Sequence, residues 1–120
     1  MKRRIPIVAF ACISMAMPAG ASLKTIGSGD AIQFDISRFP AQMKNSYKIM
    51  QIRCVKCHSL DRTVFAIKNG IAPITSTPFD RNATRAYGIK MMRKSDSGMT
   101  KDEVKATVEL MNYMLDEASR

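Results

Sequence analysis

Histidine occurs once in this 120-residue chain, tryptophan not at all, and cysteine three times. Each scarcity removes a class of function. A single imidazole excludes any site that needs two histidines from this chain. Aromatic residues make up 7% of the sequence, too few for the stacking platform that single-stranded nucleic acid requires. A structural zinc site takes about four ligands, and only Cys12, Cys54, Cys57 and His58 are on offer for one. No strand–helix–strand pattern surrounds the cysteines, so a thioredoxin-like dithiol has no scaffold. The apolar stretch at residues 5–17 is shorter than the ~20 residues of a comfortable membrane-spanning helix. No catalytic acid–base set stands out, no small-molecule substrate is implied, and no internal repeat is visible.

What is present is concentrated at one point. Cys54-Val55-Lys56-Cys57-His58 has the C-x-x-C-H spacing of c-type haem attachment. Each thiol adds across one vinyl group of the porphyrin and forms a thioether. A helical turn between the two cysteines matches the separation of the two vinyls. His58 follows at once, so its ring can reach the iron from the same side. The motif predicts one covalently attached haem c, held by Cys54 and Cys57, with His58 as one axial ligand.

The chain start says where this chemistry takes place. Lys2, Arg3 and Arg4 precede the apolar stretch, and Pro18-Ala19-Gly20-Ala21 follows it. That is the basic, apolar, small-x-small order of a secretory leader. Residues 1–21 read as a signal peptide cut after Ala21, with an uncleaved anchor as the alternative, and Cys12 goes with the leader. Export agrees with haem attachment, because c-type haem is joined to protein outside the cytoplasm. A periplasmic or otherwise exported location is expected. Without residues 1–21 the chain has sixteen basic and ten acidic residues, a formal charge of +6 with His58 neutral. Such a balance steers toward acidic surfaces. For an exported protein the expected partner is an acidic redox protein, such as a membrane or periplasmic oxidoreductase, and not nucleic acid.

Residues 22–37 read as an N-terminal arm, with a little extended structure near residues 31–36. Residues 38–120 form one domain, small enough that its core is marginal unless supplemented; a buried porphyrin plate would supplement it. Phe39, Met43, Tyr47, Met50 and Cys54 recur at intervals of 4, 4, 3 and 4, which is helical. This first helix, with Ser37 as its expected cap, delivers Cys54 to the haem. A short helix after His58 stops at Asn69-Gly70. Pro73 and Thr75-Ser76-Thr77 then mark a loop. Thr77-Pro78 reads as the start of a third helix running toward Met92, weakened late by Gly88. Thr100-Lys101-Asp102-Glu103 is a capping box. It opens a last helix whose apolar stripe is Val104, Val108, Met111 and Leu115, with Leu110, Tyr113 and Met114 widening that face.

With the only histidine used, methionine is the natural second ligand, and its neutral thioether favours ferrous iron. Seven methionines follow the leader. Met43 and Met50 precede Cys54 on the motif-bearing helix, Met111 and Met114 belong to the last helix, and Met99 adjoins its cap. Met91 and Met92 remain. Met91 is the expected ligand and Met92 the second choice; an open, water-bound or lysine-bound iron is the third.

The order of helix, C-x-x-C-H, proline-bearing loop, methionine and last helix, from about Phe39 to Leu115, resembles the class I cytochrome c family. The resemblance implies an all-α, class I cytochrome c-like fold, with three to four short helices wrapped around one covalent haem. It implies a carrier of single electrons between respiratory redox partners, and not an enzyme. It also implies that Ser46 and Met50 of the first helix meet Tyr113 of the last. Gly and Phe are usual where Ser46 and Met50 stand, so a wider helix crossing is expected. Pro73 is similar to the proline whose carbonyl accepts from the outer N–H of the haem-binding histidine. Two alternatives stay open: a haem-bearing subunit of a larger oxidoreductase complex, and an open-site haem sensor or enzyme.

Overall fold

The computed structural model describes residues 23–120; the expected leader and its cleavage site lie outside them. Four α-helices and one short hairpin build the described chain, which is mainly α. The hairpin pairs β1 (Thr25–Ile26) with β2 (Gln33–Phe34), Thr25 standing opposite Phe34. The segment read as an arm is thereby part of the core, since Leu23 and Phe34 are both buried. The Phe34 backbone N–H donates to the Tyr47 hydroxyl at 3.0 Å, and the two rings meet edge-on with centroids 6.3 Å apart. Strand β2 falls within the extended stretch expected near residues 31–36, whereas β1, two residues long, is too short to show a period.

Helix α1 (Ala41–Arg53) buries Ser46, Tyr47 and Met50, and Met43 and Cys54 pack against the same core. The expected stripe is present. The cap is Pro40 and not Ser37; the Ser37 N–H is turned back to the Asp35 carboxylate at 3.0 Å. Phe39, just ahead of α1, meets Tyr113 edge-on at 5.1 Å between centroids.

Helix α2 (Asp61–Asn69) ends where glycine permits a left-handed residue: Gly70 has φ +66, and its N–H donates to the Ala66 carbonyl at 2.9 Å. Helix α3 (Arg81–Met92) starts later than Thr77-Pro78 suggests. Asp80 caps it, accepting from the N–H groups of Asn82 and Ala83 at 2.9 Å each. Thr77 instead closes the preceding loop, its carbonyl accepting from the Ala72 N–H at 2.8 Å. An aspartate with two free amides in reach is a strong cap, and the loop holds Thr77 and Pro78 away from the helix axis. Gly88 is a close-packing position and not a weak point. A Cβ there would lie 2.7 Å from Val108 Cγ2, so its absence lets α3 press against the last helix. Buried Thr84 ties the same pair, its hydroxyl donating to Asn112 Oδ1 at 2.7 Å.

Helix α4 (Lys101–Ala118) has the complete capping box expected of it. Its buried residues are Val104, Thr107, Leu110, Met111 and Met114, while Val108 and Leu115 are only partly covered. The widening by Leu110 and Met114 is present and the stripe is centred on them, because α4 contacts α1, α2 and α3 together.

Glu103 does two things at once. Its Oε2 accepts from the Thr100 N–H at 2.9 Å, completing the cap. Its Oε1 accepts from Arg53 Nε and Nη2 at 3.0 and 2.8 Å. The start of α4 is thereby tied to the end of α1, one residue before Cys54. These bonds, the Thr100 amide first and Arg53 second, hold the Glu103 carboxyl below its ordinary value of 4.5. A depressed carboxyl contributes stability that is complete above the unfolded value and lost as pH falls through the folded one. Glu103→Gln should therefore be less stable than the parent near neutrality. The gap between their urea midpoints should narrow as pH falls below about 4.5. A gap constant across that range would show that Glu103 contributes no ionised-state stability.

Candidate functional site

At Arg53 the first helix tightens into a 3-10 turn, Cys54–Lys56. Cys57 follows, still with right-handed helical backbone. The two thiols thus ride on one continuous turn. Cys54 is partly buried and Cys57 exposed, and both are free. Burial, with Cys57 adding to it, pushes the Cys54 thiol up to about 11. A thioredoxin-type dithiol depends on a lowered value, so Cys54 has the opposite electrostatics. Among the described residues no group of three or more His, Cys, Asp or Glu side chains is arranged to hold a metal ion. Cys54, Cys57 and His58 therefore do not converge as zinc would require.

His58 is half-buried, and its Nδ1 lies 2.8 Å from the Ser59 carbonyl. With Nδ1–H donating there, Nε2 keeps its lone pair, which is the tautomer a metal-binding imidazole needs. The carbonyl belongs to Ser59 and not to Pro73, which the resemblance suggested. Ser59 is the next residue in the chain, and its hydroxyl is held by the Asp61 carboxylate at 2.5 Å, where α2 begins. Pro73 lines the cleft into which His58 looks.

That cleft lies between α2, α3 and α4 and contains about 760 Å³ of empty space, its open mouth included. Its walls are mostly apolar, with Ala66, Phe79, Tyr87, Gly88 and Met111 among them, and Arg62 is the one formally charged residue beside His58. A smaller hollow opens onto the motif and is lined by Cys54, Cys57, His58 and Met91 together. The four residues singled out in the sequence therefore meet in one place. Met91 also lines the larger cleft, and Met92 lines neither. Met99 lines both, and the sequence reading passed it over. Its position beside a helix cap carries no information on which way the side chain turns.

Lysines border the same place. Lys94 lines the hollow that holds the two cysteines, and Lys56 lines the groove that exposes Cys57 and His58 on the hairpin side. Lys90, Arg93 and Lys94 share a further groove on the outer face of α3.

No family model matches the chain, and no curated protein or solved structure matches it. No helix among the described residues is long and apolar enough to cross a membrane.

Proposed function

We propose that this protein is an exported monohaem c-type cytochrome of the class I kind, carrying single electrons between respiratory redox partners. The observation that carries the reading is the meeting of Cys54, Cys57, His58 and Met91 at one hollow, from which His58 and Met91 also reach the adjoining apolar cleft. The donor chemistry fits the group. Two thiols on one helical turn suit two thioether bonds, an imidazole with Nε2 free suits iron, and a neutral thioether is at hand as second ligand. A haem held there supplies reversible one-electron exchange. The chain's own residues do the rest. The Ser59 carbonyl sets the His58 tautomer and ring orientation. Helix α1 holds Cys54 against the core. Ala66, Phe79 and Met111 keep water from the interior of the cleft. An apolar surround and a neutral thioether both favour the ferrous state.

The test is production in a host that exports the chain and attaches haem. The mature protein should begin at Ser22, and its mass should equal residues 22–120 plus one haem after full denaturation. An apo mass under those conditions rejects the reading.

The basic residues around the motif support an acidic partner. Charges on the two sides of Cys57, at Lys56 and Lys94, attract such a surface over about 10 Å at 0.1 M salt. Electron transfer to the physiological partner should slow as ionic strength rises. Reversing Lys56 and Lys94 to Glu should lower the association rate more than it moves the reduction potential. Rates flat from low to high salt would instead indicate a permanently docked subunit or lysines that serve only solubility.

A further inference from the structure

We propose that Met99 is a second thioether ligand for the same iron, able to take the place of Met91. The proposal rests on the reading of the cleft as a haem site. Three observations carry it. First, among the described residues Met91 and Met99 are the two methionines that line both the main cleft and the hollow at the motif, where they stand with Cys54, Cys57 and His58. Met111 lines only the main cleft, and Met50 and Met114 are sealed in the core at 1% and 0% exposure. Met99 is only partly covered. Second, one buried hydroxyl draws the two ends of the loop together. Ser97 Oγ donates to the Met92 carbonyl at 2.9 Å and accepts from the Met99 N–H at 3.3 Å. The residue next to Met91 and the backbone of Met99 are thereby held by the same side chain. Third, Gly98 takes φ +59 just before Met99, and a Cβ on it would stand 3.3 Å from Arg53 Nη1. The loop thus turns over the end of α1, beside Cys54.

The chemistry of replacement is simple. Both side chains offer the same neutral sulfur on a flexible, unbranched stem. Exchanging one for the other leaves the charge of the site unchanged.

The test uses the ferric holoprotein and the far-red sulfur-to-iron absorption band. Leucine keeps the volume of methionine and cannot bind iron, so the variants are Met91→Leu, Met99→Leu and the double substitution. Covalent haem mass and far-UV circular dichroism confirm that each is loaded and folded. Met91→Leu should keep a sulfur-to-iron band and low-spin iron, and the double variant should lose both. Loss of the band in Met91→Leu alone overturns the proposal. Loss in Met99→Leu, with the band kept in Met91→Leu, makes Met99 the sole ligand and also overturns the exchange. A parent protein with covalent haem and no such band removes thioether ligation altogether, a failure of the underlying reading that is distinct from either.

Discussion

Cys57→Ala should yield at most a holoprotein with one thioether bond, and the Cys54→Ala, Cys57→Ala double variant should retain no haem after denaturation. The two thiols ride on one turn at the end of α1, so under the proposed reading each would reach its own vinyl without help from the other. Their surroundings differ, however. Cys57 is exposed and Cys54 is partly buried against the core. A single bond through Cys54 is anchored by packing, whereas a single bond through Cys57 hangs from an exposed residue. Of the two single variants, Cys57→Ala should therefore accumulate more covalent product than Cys54→Ala. The check is the mass of each secreted variant after denaturation, with haem absorbance per protein as the yield. Equal and full haem retention in all three variants would show that the thiols do not attach it.

Leu110→Ala should be the most damaging single truncation in the helical core. Leu110 is 0% exposed and lies on the helix that α1, α2 and α3 all contact. Removing a leucine from such a place typically costs about 2–5 kcal/mol, more when the walls cannot close in. A domain of this size has about 5–15 kcal/mol in all. The variant should show a large drop in urea midpoint and a loss of near-ultraviolet signal, while its haem, once attached, stays covalently bound. That separates it from the cysteine variants, which lose the attachment while keeping the helices. An unfolding free energy within about 0.5 kcal/mol of the parent would show that the α4 core is looser than its burial implies.

Much of this architecture was written in short segments. The capping box at Thr100 and Glu103, the left-handed stop at Gly70 and the Phe39–Cys54 stripe each depend on neighbours within a turn or two of chain. They are legible for that reason. C-x-x-C-H is the extreme case, since the whole motif lies within five consecutive residues.

Other features depend on segments far apart in the chain, and only the tertiary structure decides them. The hairpin at residues 25–34 enters the core because Tyr47, thirteen residues beyond Phe34, offers its hydroxyl to the Phe34 N–H. Asp80 rather than Thr77 caps α3 because the α2–α3 loop claims Thr77 for its own backbone bonds. Gly88, a weak helix former when taken alone, is the point where α3 can approach Val108 of α4. Met99 turns into the cleft through the Ser97 bonds and the reversal at Gly98. The local sequence by itself determined the helices and the C-x-x-C-H spacing, because both are set over a few residues. Which side chains gather around that motif was decided by helix packing, because direction within a core is set by contacts between distant parts of the chain.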